Sequence, residues 1–238
     1  MGENNSSRVI IALDYGDLTP VKSLLDRLES RPSWYKVGME LFYAAGWEAV
    51  DLVRSTGAKV FLDLKFNDIP NTVAGACRSC LKKGASMLNM HALAGSAALR
   101  MARREVEVAE ESGLGRPLLI GVTVLTSIDQ TALNGELGVQ GSVEPNVVRL
   151  AQLCNESGLD GVVASPLETQ AIKQACSEEF LVVVPGIRPE WSLAGDQKRH
   201  TTPRQAFENG ADYIVIGRPI TQAKDPVEAF LRVCEEIE

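Results

Sequence analysis

KVFLDLKFNDIPNTVAGACRSCLKKGASMLNMHA, residues 59–92, contains one complete strand–helix–strand repeat. In its first part, KVFLDLK (59–65), apolar and charged residues alternate as they do in a strand. Residues two apart on a strand point to the same face. Asp63 and Lys65 therefore project together, and Val60, Leu62 and Leu64 project the other way. Residues 71–83 then follow a helical period and stop at Gly84, the usual C-cap position. SMLNMHA (86–92) reads as strand again. Two strands joined by a helix of this length form a parallel crossover unit.

The same alternation runs along the whole chain. The strand candidates are RVIIALDY (8–15), WYKVGME (34–40), KVFLDLK (59–65), SMLNMHA (86–92), PLLIGVTVL (117–125), GVVASP (161–166), FLVVVPGI (180–187) and DYIVIGRP (212–219). Helical periodicity occupies residues 18–30, 41–56, 71–83, 95–112, 145–157, 203–209 and 226–237. Gly57 and Gly210 act as further helix stops. Eight such strands in 238 residues predict a single-domain (β/α)8 TIM barrel over residues 1–238. A doubly wound open sheet is the alternative. No linker, low-complexity tract or second domain interrupts the pattern.

The bulk composition narrows the function. The net charge of −7 argues against a nucleic-acid surface or an anionic membrane surface, since both require a basic stripe. A local basic pocket for a phosphate remains compatible with it. No apolar run is long enough for a transmembrane helix. The polar start MGENNSSR lacks the apolar segment of a secretory signal, and the expected location is cytoplasmic. The five cysteines, Cys77, Cys80, Cys154, Cys176 and Cys234, are odd in number and scattered, as reduced thiols are. Cys77 and Cys80 form a C-x-x-C inside a helix, with no second pair to complete a zinc site. They read as small buried hydrophobes.

Charged residues gather at the strand C-termini, the face on which such barrels carry their active sites. Asp14 ends the first strand and shares a face with Ile10 and Ala12. Lys36 lies on the second, opposite in direction to Tyr35 and Val37. Asp63 and Lys65 end the third. Thr126 and Ser127 follow the fifth, Arg188 the seventh, and Gly217–Arg218 the eighth. Neighbouring strands lie about 4.8 Å apart, so Lys36 and Asp63 come within reach of each other. A lone D-x-K pair is compatible with a structural salt bridge and with a site that handles a proton or a carboxylate. Gly217–Arg218 suits a phosphate, through close backbone approach and a bidentate guanidinium. His91 reads as an acid or base, or as a hydrogen-bonded core histidine; His200 reads as solvated. Two long polar loops, 127–145 and 188–203, follow strand ends and are candidate lids.

Asp63-x-Lys65-x-x-Asp68-Ile69-x-x-Thr72 resembles the signature of the orotidine 5′-monophosphate decarboxylase family. ALD (12–14), KVGMEL (36–41), VTVLTS (122–127), VVPGIRP (183–189) and VIGRPI (215–220) follow in the family's order, so the resemblance covers nearly the whole chain. Its length and loops resemble the shorter bacterial branch. The resemblance implies decarboxylation of orotidine 5′-monophosphate to UMP, with no metal and no organic cofactor. It implies a charged array of Lys36, Asp63, Lys65 and Asp68, with Lys65 as proton donor. It further implies a homodimer in which Asp68 enters the partner's site. Asp14 and Lys36 would hold the ribose hydroxyls, with Thr72 nearby. Thr126 or Ser127 would face the pyrimidine. Arg188, Gln197, Gly217 and Arg218 would hold the phosphate.

The residues' own chemistry agrees with this. A carbanion at C6 of the pyrimidine lies in the ring plane, and no cofactor motif supplies an electron sink. The protein must then supply electrostatics and a proton. Two rival readings stand: a magnesium-dependent sugar-phosphate decarboxylase or synthase with the same D-x-K-x-x-D pattern, and a non-catalytic phosphate-binding barrel. Lys36, the tail from Asp68 to Thr72 and the Arg188 loop favour the nucleotide enzyme.

Overall fold

A computed structural model describes residues 5–192 and 201–237. The first half runs β1 (Val9–Ala12), α1 (Leu18–Leu28), β2 (Trp34–Gly38), α2 (Met39–Ala45), α3 (Trp47–Ser55), β3 (Lys59–Phe66), α4 (Pro70–Lys82), β4 (Met87–His91) and α5 (Gly95–Glu111). The second half runs β5 (Leu118–Val122), α6 (Val143–Glu156), β6 (Gly161–Val163), α7 (Thr169–Ala175), β7 (Leu181–Val184), α8 (Pro203–Glu208), β8 (Tyr213–Ile216), α9 (Arg218–Thr221) and α10 (Pro226–Ile237). The strands pair in sequence order, all parallel, and β8 closes on β1. The expected barrel is present and the open sheet is not.

Period-two alternation decides which residues fill the barrel. Ile10, Trp34, Phe61, Met87, Ile120, Val183 and Val215 form an inner cluster. Their chain neighbours Val9, Ile11, Tyr35, Val60, Leu62, Leu88, Val182 and Ile214 turn outward into a second cluster with the helices. That outer layer takes its other half from helix stripes such as Val21, Leu24, Leu25 and Leu28 of α1. Burying a side chain of this size contributes about 1.5–3 kcal/mol.

Four differences from the sequence reading have local causes. The helix expected over 41–56 is two helices, α2 and α3, hinged at Gly46 with φ 59°. That left-handed backbone suits a residue without Cβ. The second strand ends at Gly38, where α2 begins, rather than at residue 40. The eighth strand ends at Ile216, because Arg218–Thr221 forms a short helix with Pro219 in its first turn. α7 was not anticipated: its buried face carries Thr169 and Lys173 beside Ile172, so it shows no apolar period. Lys173 is neutralised by Asp212 at 2.8 Å.

The loop over 127–145 is braced rather than free. It contains a π-helical turn, Ala132–Glu136, and the Asn134 amide donates to the carbonyls of Val139 (2.6 Å) and Gly141 (2.9 Å). Leu133 is buried beneath it. Of the other expected lid, 188–203, residues 193–200 lie outside the described residues, and with them Gln197 and His200.

Candidate active site

At the C-terminal end of the barrel the inward-pointing positions gather both signs of charge. Above the apolar layer of Ile10, Trp34, Phe61 and Met87 stand Asp14, Lys36, Asp63, Lys65 and Asn89. Register brings them together. Ala12 lies beside Lys36, Lys36 beside Phe61, and Gly38 beside Asp63.

The four charges form a continuous chain. The Lys36 ammonium donates to Asp14 Oδ1 at 2.9 Å and sits 3.5 Å from Asp63 Oδ2. The Lys65 ammonium donates to Asp63 Oδ1 at 2.5 Å. Lys36 and Asp63 are nearly enclosed, with side chains 11% and 13% exposed, and Lys65 is 24% exposed. Burial alone would push the Asp63 carboxyl up. The Lys36 and Lys65 ammoniums, with hydrogen bonds from Lys65 and Asn89, outweigh it and hold the carboxyl below its ordinary value. Asp63 is thus a buried, fully ionised carboxylate between two cations.

The backbone is unusual at the same place. Lys65 has φ 51°, in the left-handed region. The β3–β4 ladder slips there: Leu62 pairs with Leu88 and Phe66 with Met90. β3 thus bulges where it delivers its two charges, a recurrent device for aiming side chains at a site. At Gly38 a Cβ would lie 2.7 Å from Lys36 Nζ and 3.4 Å from Asp14 Oδ1. Only a residue without a side chain leaves that pair undisturbed.

A cavity of about 250 Å³ opens beside the array. Lys36, Asp63 and Lys65 line one side, with Thr126 and Ser127 at the rim. Phe61, Val122, Val124, Leu125, Val163, Ala164, Val183, Pro185 and Val215 supply apolar walls. A second cavity of about 520 Å³ adjoins it through Thr126 and Pro185, lined also by Ser165, Pro166, Leu167, Gly186 and Thr201. Together they suit a ligand with a flat body and a polar extension. A still larger hollow of about 690 Å³ lies at the opposite end of the barrel, around Trp34, Lys59 and Tyr213. It is remote from the charged array.

Asp14, Lys36, Asp63, Lys65, Thr126 and Ser127 therefore lie together at this end of the barrel. Gly217 is adjacent, 3.8 Å from Asp14 Oδ2 when given a Cβ. Arg218 is exposed at the start of α9. Arg188 is half-buried, and its N–H donates to the Thr201 carbonyl at 3.1 Å. Asp68 and Thr72 do not join the array within this chain. Both are exposed, and Asp68 Oδ1 accepts from the Ile69 N–H at 2.6 Å. Ile69 beside them is 66% exposed. The sequence reading missed Asn89, although it stands in SMLNMHA at the inward parity of Met87 and His91.

His91 sits half-buried at the end of β4, and its Nδ1 has no hydrogen-bond partner. The hydrogen-bonded core role is thus not met at that atom. Burial, with the Lys65 ammonium nearby, pushes its pKa below the ordinary histidine value, against the pull of Asp63. Cys77 and Cys80 are buried in α4, and burial pushes both thiols up to about 12. They are unreactive at neutral pH. Among the described residues, no group of three or more His, Cys, Asp or Glu is placed to hold a metal ion. Nor is any helix among them long and apolar enough to cross a membrane.

A parallel eightfold barrel with an ionised Lys–Asp–Lys centre in its C-terminal mouth has the architecture of the barrel enzymes. Comparison with known proteins narrows the class. Residues 7–233 match the family described as Orotidine 5'-phosphate decarboxylase / HUMPS family, and the chain belongs to it. It is 51% identical over 233 residues to the orotidine 5'-phosphate decarboxylase of Moorella thermoacetica, covering 97% of this chain and 92% of that one. It is 44% identical over 234 residues to the enzyme of the same name from a Nostoc species, covering 98% of both. The crystal structure of orotidine 5'-phosphate decarboxylase from Lactobacillus acidophilus superposes with a TM-score of 0.86 at 37% identity, covering 98% of this chain and 99% of that one.

Proposed function

We propose that this chain decarboxylates orotidine 5′-monophosphate to uridine 5′-monophosphate, the last step of de novo pyrimidine nucleotide synthesis, without metal or organic cofactor. The observation that carries this reading is the Asp14–Lys36–Asp63–Lys65 chain beside an apolar-walled cavity, in a member of this family. A cytoplasmic location goes with that biosynthetic role.

The chemistry follows from the charges. The bond from C6 to the carboxylate breaks, and its electron pair stays on C6 as carbon dioxide leaves. The Lys65 ammonium meets the developing charge in the ring plane and transfers its proton to C6, and solvent then reprotonates the amine. The ionised Asp63 faces the substrate carboxylate. It disfavours the bound carboxylate more than the transition state, in which that charge has moved to C6. Asp63 can stay ionised there because Lys36 and Asn89 hold it in place. The pyrimidine occupies the apolar cavity with Thr126 or Ser127 at its polar edge. Asp14 and Lys36 take the ribose hydroxyls, with Thr72 near the same region.

Arg188, Gln197, Gly217 and Arg218 form the proposed phosphate grip. Binding energy from that remote group is used to assemble the charged site around the reacting carbon. Asp68 belongs to the proposed array only through a partner subunit, in a homodimer that shares its sites. Its exposure beside the exposed Ile69 supports that assignment. The magnesium-dependent sugar-phosphate reading has less support, because the Lys36 ammonium lies between the carboxylates of Asp14 and Asp63 that a cation would bridge. A non-catalytic barrel would not require an ionised, enclosed Asp63.

Loss of orotidine 5′-monophosphate absorbance with purified protein tests the proposal. Turnover is expected at catalytic enzyme concentration. No loss at stoichiometric enzyme would overturn the reading.

A further inference from the structure

We propose that Asn89 is a positioning residue for the decarboxylation, clamping the Asp63 carboxylate and the Lys65 backbone in one geometry; the assignment rests on the activity proposed above. Asn89 is fully buried, on the inner face of β4, and it does not line the cavity. Its side-chain Oδ1 accepts from the Lys65 N–H at 2.8 Å. Its Nδ2 donates to Asp63 Oδ1 at 2.6 Å.

The need for this clamp comes from the bulge. From Leu62 to Phe66 β3 advances four positions while β4 advances only two, from Leu88 to Met90. The stretch carrying Asp63 and Lys65 is therefore out of step with the ladder that would otherwise satisfy its N–H groups. The Asn89 side chain takes the place of that ladder. It pairs the Lys65 N–H, whose residue is held at φ 51°. With its other end it fixes the carboxylate oxygen that also receives the Lys65 ammonium. The amide can serve both ends in only one orientation, because a carbonyl must face the N–H and an NH₂ must face the carboxylate. Neither an apolar residue nor an ionised acid of the same size reproduces it. Asn89 touches no reacting atom; it acts through Asp63 and Lys65.

Asn89→Asp and Asn89→Ala, compared with the parent protein, test the assignment. Aspartate keeps the acceptor for the Lys65 N–H but sets a second carboxylate against Asp63. Displacements of this kind near a reacting centre cost about 100-fold. Both variants are expected to lose about 100-fold in kcat while their affinity for UMP, held largely through its phosphate, stays within about threefold. Asn89→Asp alone is expected to regain part of its kcat relative to the parent as pH falls. Its added carboxyl then takes up a proton and becomes a donor to Asp63 again. A merely structural role would lower the melting temperature without this pH-dependent recovery.

Unchanged kcat in either folded variant, a loss confined to KM, or no recovery in Asn89→Asp would overturn the assignment. Failure of both variants to fold would do the same, and would assign Asn89 to the scaffold. Turnover by the parent protein, measured alongside, separates the two claims. A parent that turns over beside fully active variants sinks the Asn89 assignment alone. A parent without turnover sinks the activity, and this assignment falls with it.

Discussion

Lys65→Ala and Lys65→Gly remove the same ammonium but treat the backbone differently. Both leave Asp63 without the hydrogen bond at 2.5 Å, while Lys36 at 3.5 Å and Asn89 at 2.6 Å remain. A hydrogen bond between charged groups contributes about 1.5–3 kcal/mol. With two partners left, the lower part of that range applies, about 1.5–2 kcal/mol. Alanine also retains a Cβ at φ 51°, a conformation that costs a residue with a side chain about 1–2 kcal/mol. Glycine relieves that cost but gives back about 0.5–1 kcal/mol through its freer unfolded chain. At the middle of each range, Lys65→Gly should therefore be more stable than Lys65→Ala by about 0.75 kcal/mol. Melting temperatures for a domain of this size move about 2–4 °C per kcal/mol. Lys65→Ala should then melt about 3–8 °C below the parent, and Lys65→Gly about 1.5–3 °C above Lys65→Ala. Activity should not follow stability. Both variants lose the proton donor and the cation beside C6, a combined loss of about 10⁴-fold or more. The assay is orotidine 5′-monophosphate absorbance beside thermal melts. Turnover within tenfold of the parent in either variant would refute the donor role. A glycine variant no more stable than the alanine variant would refute the backbone argument.

Three further outcomes are expected. The Asp63 carboxyl is held below its ordinary value, so its contribution to stability is present above the unfolded value of about 3.9 and is lost as pH falls through the lower folded value. Asp63→Asn should thus be less stable than the parent at pH 6, with the gap narrowing below about pH 4 in melts across that range. Arg218→Ala should weaken binding of UMP far more than binding of uridine, measured by calorimetry, and equal losses would place the phosphate elsewhere. Mixing Lys65→Ala chains with Asp68→Ala chains under subunit exchange should restore about half of the parent activity per heterodimer, because one of two sites is then intact; no recovery after proven exchange would defeat the shared site.

The barrel was legible because its strands obey period two and its inward positions are apolar from Ile10 through Val215. The charged array was legible for the same reason. Asp14, Lys36, Asp63 and Lys65 sit at inward parity one or two steps beyond that apolar layer, where a polar residue has no business unless the mouth is a site. What escaped the sequence was set by neighbours rather than by local pattern. α7 was hidden because Lys173 on its buried face is neutralised by Asp212, distant along the chain. The division of α2 from α3 depends on one glycine inside an otherwise continuous helical period. Asn89 was hidden because its role depends on a register slip between two strands, which the sequence of neither strand contains. Asp68 and Thr72 enter the proposed site only through the family resemblance, since nothing within one chain draws them to Lys65.

Turnover of orotidine 5′-monophosphate labelled with carbon-13 in its carboxylate, in heavy water with excess EDTA, tests the central claim most directly. Lys65 as donor in a cofactor-free decarboxylation predicts one labelled carbon dioxide released per UMP formed, and a single deuterium at C6 of that UMP. No labelled carbon dioxide, or release only after magnesium is added, would contradict it.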